Sequence, residues 1–178
     1  MLKKVKDRMH KRIWRWGGAL LLLALVGWGG GMYIHAQQQT DLAWAQEAGY
    51  FSPQVKAGET PSQAEFLQAV MKRVNPPEKG VIVPAGAENH WAAGIYATAK
   101  KVGIIDCSCQ IKPDMTITLE EGARFVMLAV NLQANQLLVD QEQILKKWQA
   151  VPEMKQTLTY QDAATLIRQL HGYLEKLE

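Results

Sequence analysis

Apolar side chains recur at helical spacing in three stretches of the chain, and each stretch opens in the same way. Leu67, Val70 and Val74 follow Ser62 at five, eight and twelve positions; Ala123, Val126 and Val130 follow Thr118 at the same offsets. Ala164, Ile167 and His171 follow Thr159 likewise, with Leu166 and Leu170 widening the stripe. That spacing puts one apolar face on each helix. Each start places a hydroxyl three residues before a carboxylate: Ser62 and Glu65, Thr118 and Glu121, Thr159 and Asp162. The hydroxyl accepts from the helix's first free N–H groups while the carboxylate reaches back to the cap residue, so these six residues read as capping boxes. The pattern predicts helices over about Pro61 to Val74, Leu119 to Gln133 and Tyr160 to Leu177, as copies of one repeated unit.

Shorter patterns fill the gaps. Leu42 to Ala48 reads as a helix ended by Gly49, and Asn75-Pro76-Pro77 stops the first boxed helix. Asn89 can cap a helix from about Trp91 to Val102, closed by Gly103, in which Trp91, Ile95, Ala99 and Val102 share a face, as do Ala92 and Tyr96. A further helix is expected near Asp140 to Trp148. Residues 76–89 form a linker. Short extended stretches are expected only at Val81-Ile82-Val83 and Thr116-Ile117, so the fold class is all-α with no sheet. Residues 42–178 make one domain, with units of about 42–75, 89–133 and 138–177.

Charge divides the chain. Of 20 Lys and Arg residues, Lys3, Lys4, Lys6, Arg8, Lys11, Arg12 and Arg15 crowd the first fifteen positions against a lone Asp7, which leaves 13 basic against 16 acidic residues beyond. The net positive charge belongs to this leader, and no basic patch with interleaved aromatics argues for nucleic acid. Trp16 to Ile34 is uncharged and centred on Leu20-Leu21-Leu22-Leu23. Basic residues before an apolar run orient the N-terminus to the cytoplasm and send the rest outward. The segment is expected to stay as a single-pass transmembrane signal anchor, followed by a spacer at 35–41. The alternative is a secreted protein whose signal peptide is cut after Ile34-His35-Ala36.

His90-Trp91-Ala92, then Ile95, Ala99, Val102-Gly103-Ile104-Ile105, Lys112-Pro113-Asp114-Met115-Thr116-Ile117-Thr118, Glu121 and Ala123 together resemble an S-layer homology motif. The first unit resembles the later part of that motif, through Ala48-Gly49, Phe51, Pro53 and Ser62 to Phe66. The third carries fainter traces in Trp148, Pro152, Leu158-Thr159 and Asp162-Ala163. The resemblance implies three helix-loop-helix motifs about a pseudo-threefold axis, with the boxed helices as a central bundle. It implies a bacterial surface protein of the cell envelope that binds cell-wall polysaccharide in grooves between motifs. The family's basic ligand position, one residue after each cap hydroxyl, is here Gln63, Leu119 and Tyr160, so the guanidinium suited to a carboxylate ligand is replaced. That loss leaves a protein–protein adaptor at the envelope as the second reading.

The candidate ligand-binding residues are Trp91, Lys112, Gln63 and Tyr160. Trp91 reads first as core at a motif interface, with a sugar-stacking platform as its other role. Lys112 reads as a solvated loop lysine or a groove cation, and His90 as a hydrogen-bonding residue at a helix start. Cys107 and Cys109, the only two cysteines, read as a loop disulfide or two free thiols, with a redox-labile pair or a metal site as alternatives. Zinc would need two further ligands that the spacing does not offer. No catalytic constellation, phosphate loop or cofactor motif is present, so no enzymatic activity, cofactor or metal is expected.

Overall fold

The computed structural model describes residues 41–77, 79–146 and 157–178. The leader, the apolar segment at 16–34 and most of the spacer lie outside these residues. Among the described residues, no helix is long and apolar enough to cross a membrane. Residues 41–47 are helical (α1). They are followed by α2 (Gln63–Val74), α3 (Ala93–Lys101), a 3-10 turn (Ser108–Gln110), α4 (Leu119–Ala134), α5 (Gln141–Leu145) and α6 (Tyr160–Leu174). No strand occurs among the described residues, and the fold is all-α. The extended pairing there amounts to two isolated bridges, Ser62 with Thr116 and Thr118 with Thr157. Val81-Ile82-Val83 makes none.

The box-capped helices begin where the hydroxyls stand. Ser62 and Thr159 complete both halves of the box with Glu65 and Asp162. Thr118 makes one half, accepting from the Glu121 N–H. A fourth box, Asp140 with Gln143, starts α5 and was not read from the sequence. Asn75 and Asn135 end α2 and α4 in the left-handed conformation, φ 41° and 50°, which asparagine adopts more readily than most residues because its side chain bonds locally.

The helix after residue 89 corrects the sequence reading. Asn89 does not cap it: α3 starts at Ala93 with no side-chain cap. The His90 N–H donates to Ala87 O and the Ala93 N–H to His90 O, so residues 87–92 are spent in turns. Trp91 therefore stands outside the helix and is 59% exposed, while Ala92, Tyr96 and Ala99 form the buried face. The last helix closes at Leu174, three residues short of expectation.

The helices α2, α4 and α6 pack against one another in all three pairings, with α3 on α2 and α5 on α4. Phe66, Leu67, Val70, Phe125, Val126, Leu166, Ile167 and Leu170 are buried between them. Gly122 lets them close: a Cβ there would lie 3.1 Å from Leu166 Cδ1, 3.3 Å from Leu158 Cδ2 and 3.5 Å from Phe66 Cε1.

Main-chain bonds join the helix starts at repeated offsets. The first two N–H groups of α2, at Gln63 and Ala64, donate to Met115 O (2.8 Å) and Pro113 O (3.1 Å), three and five residues before the Thr118 cap. Those of α6, at Tyr160 and Gln161, donate to Glu59 O (2.8 Å) and Ala57 O (3.3 Å), three and five residues before the Ser62 cap. Helix-start N–H groups lack intrahelical partners, so each bond satisfies a donor that burial would otherwise penalise. The corresponding acceptors for α4 would be residues 154 and 156, outside the described residues. There the Leu158 N–H donates to Ile117 O at 2.9 Å, beside the Thr118–Thr157 bridge.

Candidate functional site

A groove of about 410 Å³ runs between the end of α2 and α3, lined by Met71, Pro76, Lys79, Gly80, Trp91, Gly94, Ile95 and Thr98. Its far wall depends on Gly80. A Cβ there would fall 2.0 Å from Ala97 O, so only glycine lets the chain at residue 80 lie on the α3 backbone. The Gly80 N–H donates to Thr98 Oγ1 at 3.1 Å, and Thr98 donates onward to Gly94 O.

Trp91 is braced from one side. Its ring lies 5.2 Å from that of His90. The Ala92 N–H donates to His90 Nδ1 at 3.2 Å, and His90 Nε2 is 3.1 Å from Asp114 Oδ1. With Nδ1 accepting, Nε2 carries the proton shared with Asp114. The groove thus offers an exposed indole face, an apolar floor and the Lys79 ammonium, which is exposed. An aromatic face with one cation beside it can stack on a sugar ring and pair with an anionic substituent.

The other candidate residues do not line this groove. Gln63 is 3% exposed, and its side chain serves four partners. Its Nε2 donates to Gln110 O (2.8 Å) and to Glu121 Oε1, while its Oε1 accepts from Tyr96 OH (2.8 Å) and the Lys112 N–H (2.9 Å). Tyr160 is 5% exposed, packs edge-on to Phe51 at 5.3 Å, and places its hydroxyl near Glu65. Burial raises the Tyr160 hydroxyl above its ordinary pKa, and Glu65 adds to the rise. Tyr96 is raised by burial as well, with Glu121 and Asp114 contributing. The Lys112 side chain is exposed on the loop before α4.

Sequence reasoning missed Lys79 and Gly80, which it assigned to a linker. Nothing local marks Gly80, because its partner Thr98 lies 18 residues on. It also missed a second, polar groove of about 270 Å³ lined by Gln110, Thr118, Glu120, Glu121, Arg124 and Gln141. Arg124 is held there by Asp106 (3.4 Å) and by Gln110 Oε1. Main-chain donors, with help from Arg124, keep the Asp106 carboxyl below the usual range. Cys107 and Cys109 are bridged on the exposed 3-10 turn next to it. Among the described residues, no group of three or more His, Cys, Asp or Glu could hold a metal ion.

No protein-family model matches the chain, and no curated protein is significantly similar to it.

Proposed function

We propose that this is an exported cell-envelope protein, tethered by its N-terminal apolar segment, whose helical domain is a divergent S-layer-homology-like unit that binds cell-wall polysaccharide non-covalently. Its three motifs are arranged about a pseudo-threefold axis, with α2, α4 and α6 as the central bundle. The observation that carries the arrangement is the pair of helix starts bonded to loops at equal offsets, Gln63 and Ala64 to 115 and 113, Tyr160 and Gln161 to 59 and 57. A repeated unit packed in a ring produces such equal offsets, and a chance helical bundle does not. Polysaccharide binding is supported by Trp91, exposed beside Lys79 in the groove between the first two motifs. Gln63 and Tyr160, at the family's ligand position, tie neighbouring motifs together instead, so the ligand contact moves to the Trp91 groove.

A second reading, a protein–protein adaptor on the same scaffold, is favoured by Val81 and Ile82, 89% and 86% exposed beside an apolar groove lined by Pro84 and Ala97. Co-sedimentation of residues 37–178 with intact and polysaccharide-stripped cell walls separates the two. Binding that is lost on stripping and lost in Trp91→Ala supports the polysaccharide reading. Failure to bind intact walls overturns it and directs the search to a protein partner at Val81 and Ile82.

A further inference from the structure

The Cys107–Cys109 bridge is poorly placed to be a staple. It closes a loop with one intervening residue, and the entropy a crosslink removes from the unfolded chain shrinks with the loop it closes. The turn it spans is already held by its own main chain, with the Gln110 N–H donating to Cys107 O and the Ile111 N–H to Ser108 O. Both cysteines are exposed and neither belongs to the core. They are also the chain's only two cysteines, so each has no alternative partner within it. A sulfur pair that contributes little to the fold and faces solvent is accessible to an incoming thiolate.

The two sulfurs are not equivalent. The Cys109 N–H donates to Cys107 Sγ at 3.2 Å. A donor aimed at one sulfur stabilises negative charge there, and a better-stabilised thiolate is the better leaving group.

We propose that Cys107–Cys109 is a solvent-facing thiol–disulfide exchange site, opened by an external thiolate that attacks Cys109 Sγ and expels Cys107 as the thiolate. A new S–S bond forms between the incoming sulfur and Cys109 as the Cys107–Cys109 bond breaks, and its electron pair leaves on Cys107 Sγ. A second thiolate attacks the incoming sulfur of this mixed disulfide, forming the external disulfide and releasing the Cys109 thiolate. Two electrons pass from two thiols to the bridge, and the two cysteine thiolates take up the two protons those thiols gave up. The reductant is a thiol, either a small molecule or an exposed cysteine of another protein.

Full-length chain in detergent micelles, treated with excess 2-mercaptoethanol, provides the test. Native protein is expected to lose its bridge less than about tenfold more slowly than the same protein in urea, because an exposed bridge gains no protection from the fold. A larger ratio overturns the proposal, as does a purified protein whose two thiols stay free under oxidised mercaptoethanol. Reduction is expected to lower the melting temperature by less than about 3 °C; a larger fall makes the bridge a structural staple. In Cys109→Ser, Cys107 is expected to react with iodoacetamide about threefold faster than Cys109 does in Cys107→Ser. Equal rates overturn the assignment of the leaving sulfur. Repeating the reduction with a protein dithiol such as thioredoxin distinguishes the sources: a rate well above that of the small thiol at equal thiol concentration points to a protein partner.

Discussion

The seam between α2 and α4 and the seam between α6 and α2 use the same main-chain bonds and opposite side-chain chemistry. At the first, Gln63 is a polar hub whose four partners come from α3, α4 and the loop between them. At the second, the equivalent position is Tyr160, which fills space against Phe51 with its hydroxyl near Glu65. In both, the side chain one residue after the cap reaches the carboxylate three residues after the neighbouring cap, Glu121 or Glu65. The backbone template therefore sets where the contact falls, and the residue type sets how it is made. A polar hub fails if any partner is orphaned, whereas an aromatic wedge tolerates loss of its hydroxyl.

That contrast can be broken most severely at Gln63. Gln63→Leu leaves the buried Tyr96 hydroxyl, Gln110 O and the Lys112 N–H without their partner, and is expected to cost about 3 kcal/mol in urea unfolding. A loss near zero would mean that water replaces the hub. Gly122→Val tests the junction that both seams share, since Phe66, Leu158 and Leu166 crowd the added atoms. It is expected to cost about 2 kcal/mol by overpacking. Tyr160→Phe keeps the wedge and removes the hydroxyl beside Glu65, for about 1 kcal/mol at neutral pH. The same variant sharpens the comparison at high pH. Tyr160 and Tyr96 hold their protons more tightly folded than unfolded, so this stabilisation is whole below the ordinary tyrosine pKa of about 10 and drains as pH rises beyond it. The phenylalanine variant should therefore lose stability less steeply above that pH. Smallest in stability is Trp91→Ala, outside both seams, expected within about 0.5 kcal/mol of the parent while abolishing the proposed cell-wall binding.

The three boxed helices were legible because their signal is local: a hydroxyl, a carboxylate three residues on and an apolar stripe within the next ten. The all-α class followed from them. Asn89 misled because cap chemistry competes with turns, and the turn from Ala87 to His90 wins there. Trp91 reads as core because its spacing to Ile95 and Ala99 is helical, but helical spacing means little for a residue that precedes the helix. The role of Gln63 was illegible for a different reason. Its partners Gln110 and Glu121 lie 47 and 58 residues away, and no window of sequence brings them together. Lys79 and Gly80 were hidden likewise, in a segment whose prolines read only as punctuation.

The bonds from Tyr160 and Gln161 back to residues 59 and 57 bear on how the chain reaches its native state. They join positions about a hundred residues apart, so α6 can dock on the α2 start only after nearly the whole domain has been made. Until α6 arrives, α2 lacks one of its neighbours, and the apolar faces of α2 and α4 stay partly open. Long-range closure of this kind slows folding, because loop entropy is lost before the contacts that offset it form. Under the proposed export, a chain threaded outward N-terminus first meets that delay on the far side of the membrane. The last helix to emerge then acts as the latch that commits the domain to fold.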